Sequence, residues 1–168
     1  MRKACAAVAA IAFLISPAAP VFAQTLTGEM AATQYLVGTW DCSVTQMLPT
    51  GGSQQGNATL LFAAGPGNTL SQTFSSTVFS SVGLIGYSSQ SRKYFSNSVD
   101  NMGGITTQTA DQQQGARIIF SGTTTGMGRT FQSRDTDDKI SDTKIHSLSE
   151  INIGGHWTKV AEGSCMKR

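Results

Sequence analysis

From Val37 onward the chain alternates apolar and polar positions in short runs rich in Val, Ile, Thr, Phe and Tyr. Clusters of Gly, Asn, Asp and Ser interrupt these runs about every 8–12 residues, the pattern of consecutive strands joined by tight turns. Ten strands are predicted: Val37–Gln46, Asn57–Ala63, Thr69–Ser80, Gly83–Ser88, Lys93–Val99, Gly104–Thr109, Ala116–Gly122, Arg129–Thr136, Asp142–Asn152 and His156–Cys165. Asp137-Asp138-Lys139 and Gly154-Gly155 read as turns. Only Thr27–Leu36, with Met30, Tyr35 and Leu36 on one side, suggests a short helix or 3₁₀ turn. The expected fold class is therefore all-β. Short connections make sequential strands antiparallel neighbours, and so many strands in one small domain avoid free edges by closing. The expectation is a single up-and-down β-barrel of about 8–10 strands.

The first 23 residues follow a different pattern. Arg2 and Lys3 precede an apolar run from Ala4 to Ile15; Pro17 and Pro20 then break it, ahead of Val21-Phe22-Ala23. A positive start, a short apolar stretch and small residues at −3 and −1 read as a cleaved signal peptide over 1–23, with the barrel domain over 24–168. The run is well short of the ~20 residues that cross a bilayer, and no later stretch is long enough. Export to a bacterial periplasm or the exterior follows.

Cleavage would remove Arg2 and Lys3, and with them the whole formal charge of +2. A neutral chain with 13% charged residues and no basic run gives no support to nucleic-acid binding. Cleavage would also remove Cys5, leaving Cys42 and Cys165. Two cysteines in an oxidising compartment pair most simply as one disulfide. They lie on the first and last strands, which a closed barrel makes neighbours, and the loop they close is worth about 4–5 kcal/mol in the chain-entropy account.

Leu36-Val37-Gly38-Thr39-Trp40-Asp41-Cys42 places a Gly-x-Trp on the first strand, just after the N-terminal turn. This opening resembles the calycin superfamily of lipocalins and fatty-acid-binding proteins. The remainder is similar to small secreted bacterial lipocalin-like barrels, mostly uncharacterised. That similarity rests on Gly86-Tyr87, Tyr94, Asn101-Met102-Gly103-Gly104, Phe120-Ser121-Gly122, Arg134-Asp135-Thr136, Glu150, Gly155-His156-Trp157 and Cys165. The resemblance implies a basic residue of the last strand over the Trp40 indole, here Lys167 or Arg168. Nitrobindin-like relatives hold haem through a late-strand histidine; His156 is the nearest counterpart, but it sits beside a glycine turn. No cofactor is expected.

No catalytic constellation stands out. No serine lies in a Gly-x-Ser-x-Gly elbow, and His146 and His156 lack ligand spacing. Asp135, Asp137, Asp138 and Asp142 form the densest acidic cluster, interrupted by Arg134 and Lys139 and without a calcium-loop pattern; it reads as a solvated turn. No metal site is expected. Arg134 shares a face with Thr130 and Gln132, opposite Phe131, Ser133 and Asp135. It either points inward, where a guanidinium would hold a carboxylate, or pairs with Glu150 and braces the sheet. His146 and Glu150 share one face opposite Ile145 and Ile151 and either enter a cavity with Arg134 or face water. Trp40, Tyr87, Tyr94, Phe120 and Trp157 read first as core, although wall residues of a barrel also line any pocket.

These residues (Trp40, Tyr87, Tyr94, Phe120, Arg134, His146, Glu150 and Trp157) are the candidate ligand contacts. The function expected is a non-enzymatic barrel binding one small apolar or amphipathic ligand. The alternative is an interaction or structural barrel filled by its own side chains.

Overall fold

The computed structural model describes residues 24–48, 51–111, 115–126 and 128–168. The expected leader lies outside them. A 3₁₀ helix, Gly28–Leu36, is followed by β1 (Gly38–Met47), β2 (Ser53–Gly65), β3 (Thr69–Ser76), β4 (Ser80–Ser88) and β5 (Lys93–Asp100). After these come β6 (Ile105–Ala110), β7 (Arg117–Gly126), β8 (Arg129–Ser141), β9 (Lys144–Ile153) and β10 (His156–Lys167). Each strand pairs antiparallel with its sequence neighbours, and β1 pairs with β10, so the sheet closes as an up-and-down barrel. Among the described residues no helix is long and apolar enough to cross a membrane.

The seam is pinned covalently. Cys42 lies directly opposite Cys165 in the β1–β10 ladder, and the two form a disulfide closing a separation of 123 residues. Both are buried, so their side chains mark the inner face. Residues directly opposite in an antiparallel ladder share a face, and the strand registers carry that face around the barrel. Trp40, Leu60, Leu70, Ile85, Tyr94 and Phe120 then fall inside at one end, and all are buried.

The 3₁₀ helix plugs that end. Met30 and Leu26 are buried in the apolar cluster with Trp40 and Tyr94. The Tyr94 hydroxyl donates to the Glu29 carbonyl at 2.8 Å, and Trp40 Nε1 donates to the Leu36 carbonyl at 2.7 Å. Asn68, in the β2–β3 turn, holds the approach to the helix through reciprocal bonds with the Thr27 N–H and carbonyl. Gly38 begins β1 at φ +133°, and a Cβ there would lie 2.8 Å from Lys167 Cε. The backbone conformation favours glycine at this point, and any side chain would also displace the end of Lys167.

Several predicted boundaries differ, β2 beginning at Ser53 and β7 running on to Gly126, and two differences change the reading of the chain. Asp137-Asp138-Lys139 is not a turn: β8 continues through it to Ser141, and Asp142-Thr143 make the reversal. The acidic residues divide between two faces instead of clustering in water. Asp138 pairs outside with Arg117 at 2.6 Å, while Asp137 points inward opposite Ile118 and Ser147. The predicted strand Thr69–Ser80 ends at Ser76, because the Ser76 hydroxyl accepts from the Phe79 N–H and turns the chain.

Candidate functional site

Away from the helical plug, the inner face changes character. Ser76, Ser81, Ser96 and Ser98 point inward from β3, β4 and β5, and Thr106 and Thr124 from β6 and β7. Across the barrel stand Ser149, Ala161 and Gly163. These residues face the interior yet each keeps part of its surface accessible, whereas Trp40, Leu60, Leu70, Ile85, Tyr94 and Phe120 beside the plug are buried. A barrel's diameter grows with strand number, and eight strands already give an interior that side chains just fill. Ten strands here turn the small residues Ser, Thr, Ala and Gly toward the interior. Gly122 is among them for a backbone reason: a Cβ there would collide with the Thr107 carbonyl of β6.

The floor of this interior is polar. Gln108 is 2% exposed, its amide donates to Ser133 Oγ at 3.1 Å, and it lies near Asp135, favouring that carboxyl's charged form. Ser149 lies opposite Asp135 on β9, and Asp137 accepts from Ser147 Oγ at 2.5 Å. Both aspartates hold inward positions of β8, and each keeps part of its surface accessible. Burial pushes both above the usual carboxylate range, Asp137 to about 6, with the neighbouring Asp135 and Asp138 charges adding to its rise. Burial and the Asp137 charge push Tyr35, in the plug, up to about 12. Near the open end Phe74 packs against Phe79 of the β3–β4 loop at 5.9 Å, and Val44, Gln46 and Phe74 line a pocket of about 40 Å³ there.

The eight sequence candidates separate into two groups. Trp40, Tyr87, Tyr94 and Phe120 lie inside, with Tyr87 and Tyr94 edge to face at 5.2 Å. Arg134, His146, Glu150 and Trp157 lie on the outer face, because Ser133, Asp135, Ser147 and Ile151 take the inward positions of the same strands. Arg134 makes a two-pronged ion pair with Glu150, at 2.6 and 3.1 Å, and its guanidinium sits 4.4 Å from the Trp157 ring centroid. His146 contacts Glu162, and Lys159 shares that carboxylate. His156 is exposed at the start of β10. Among the described residues no group of three His, Cys, Asp or Glu is placed to hold a metal.

Gln108, Ser133, Asp135 and Asp137 were absent from the sequence candidates. The signal that locates the three on β8 is strand parity: Ser133, Asp135 and Asp137 share a face with Phe131. The charges obscured it by suggesting a solvated turn.

Fold and interior together define a ten-stranded antiparallel barrel with a 3₁₀ helix over one end and small, mostly polar residues on the inner face away from it. No protein-family model matches the sequence, and no curated protein matches it significantly. Solved structures do match the fold. Rv2717c from M. tuberculosis is similar over 85% of this chain and 99% of its own, with a TM-score of 0.65 and 11% identity. A protein of unknown function from the DUF3598 family of Nostoc punctiforme matches over 90% of this chain with a TM-score of 0.53 and 10% identity. The chain spans about half of that protein's length, 53%. At these identities the likeness is one of fold.

Proposed function

We propose that the protein is an exported, non-enzymatic barrel that binds one small molecule in the lumen. The observation that carries this reading is the inner face of β3–β7 and β9–β10: small polar residues in a ten-strand barrel, partly accessible although they point inward. Binding needs only such a volume, a few polar anchors and a wall held rigid by the plug and the disulfide. Kinship with calycin-type barrels is supported by Gly38, Trp40 and the Lys167 ammonium 5.3 Å from the indole centroid. Export of residues 24–168 is supported by the Cys42–Cys165 bridge, since such bonds persist in oxidising compartments.

A second reading rests on the outer wall. Val82, Val99 and Ile105 lie directly beside one another across β4, β5 and β6 and are each about half exposed, which suits a protein partner. Amide NMR titration with a library of small fragments separates the two. Shifts clustered on Gly83, Gly122 and Gly163 support lumen binding. Shifts restricted to the outer wall, or none, contradict it.

A further inference from the structure

Asp135 and Asp137 occupy successive inward positions of β8, and the barrel provides neither with a counter-ion. Among the described residues every ion pair engages another carboxylate. Lys139 holds the next inward position, but its ammonium is 2.7 Å from Asp142 and 4.5 Å from the Tyr35 ring centroid. His146 acts on Asp137 only from the outer face, where it is bound to Glu162. Two enclosed carboxylates without a cation are costly, since a charge taken out of water must be paired or neutralised.

A second feature points the same way. The Gln108 side chain is almost wholly buried, and its amide nitrogen donates to Ser133 Oγ at 3.1 Å. Its amide oxygen has no partner among the described residues. A buried acceptor left unpaired costs about 1–3 kcal/mol. The lumen floor therefore presents carboxylate and amide oxygens and has no unspent cation. It is an acceptor surface that lacks a donor.

Resting on the lumen-binding reading above, we infer that the ligand carries a protonated amine, seated against Asp135, Asp137 and the Gln108 oxygen. The remainder of such a molecule would extend toward the open end, where Val44, Phe74, Phe131 and Ile151 supply apolar wall among the serines and threonines. This polarity is opposite to that of a carboxylate-binding barrel: the interior acids select a cation, and Arg134 is outside.

Three probes of nearly equal shape test the inference on the folded, oxidised protein: benzylamine, benzyl alcohol and benzoate, each titrated at pH 7.5 with amide NMR readout. Benzylamine is expected to bind roughly tenfold or more tightly than benzyl alcohol, and benzoate least, because charge-assisted bonds are about twice as strong as neutral ones. The double variant Asp135→Asn/Asp137→Asn is expected to bring the amine-to-alcohol ratio near unity. Wild-type discrimination among the probes stands without that variant. If benzyl alcohol or benzoate binds as tightly as benzylamine, the acidic anchor is wrong while lumen binding survives. If no probe moves the lumen amides, the binding reading fails and the inference with it.

Discussion

Lys167 lies over Trp40, its ammonium 5.3 Å from the indole centroid, and also donates to the Tyr35 carbonyl at 2.7 Å. One side chain of β10 thereby ties the last strand to the first and to the helical plug. Its route passes Gly38, where any side chain would meet it. Lys167→Ala is expected to cost about 1–2 kcal/mol, from one hydrogen bond to a charged donor and one cation–π contact. Gly38→Ala is expected to cost about 1 kcal/mol or more, chiefly from its unfavourable φ, with the end of Lys167 displaced as well. Urea unfolding followed by Trp40 fluorescence measures both.

The Cys42–Cys165 bridge closes nearly the whole described chain. Reduction, or Cys42→Ser with Cys165→Ser, is expected to lower stability by about 4–5 kcal/mol if unfolded-chain entropy dominates. Denaturant midpoints of the oxidised and reduced forms give the difference. Equal midpoints would show that the seam is held by its ladder alone.

Asp137 sets a dependence on pH whose sign is opposite to that of most carboxylates. Its folded pKa, about 6, is above the ordinary 3.8, so the native state holds the proton more tightly than the unfolded chain. The cost of ionising it is absent below about pH 4, grows between 4 and 6, and is complete above 6. Asp135 and Asp138 face it as like charges, His146 favours its ionised form, and Tyr35 and Lys139 lie toward the plug. Asp137→Asn is accordingly expected to stabilise the protein on the order of 2 kcal/mol at pH 7.5 and to leave stability at pH 3.5 nearly unchanged. Thermal unfolding at the two pH values measures this.

Arg134 braces the outer wall through Glu150 and Trp157. Its partial exposure keeps the expected cost of Arg134→Ala near 1 kcal/mol. Trp157 fluorescence should change with it, and probe binding in the lumen should not. Loss of binding would place the site on the outer face.

Much of the architecture was legible in the alternation of the chain. The closed antiparallel barrel, the N-terminal 3₁₀ segment and the Cys42–Cys165 pairing follow from strand order and from cysteines on the terminal strands. The interior was less legible, because alternation defines two faces without saying which is inner. On β8 the aromatic Phe131 points inward and takes Asp135 and Asp137 with it; on β9 the isoleucines do the same and turn His146 and Glu150 outward. Charge misled here. A run of aspartates ordinarily marks water, and only the register carried from the disulfide through β10 and β9 to β8 shows that two of them point inward.

The central claim is that the barrel interior is open rather than filled. Reaction of a small methanethiosulfonate reagent with single introduced cysteines measures this directly on the folded, oxidised protein. Ser96→Cys probes the lumen, Ser121→Cys the outer wall, and Ala110→Cys the buried end. The account expects Ser96→Cys to react within about tenfold of the outer-wall cysteine, as an accessible thiol does. Protection of Ser96→Cys equal to that of Ala110→Cys would contradict it.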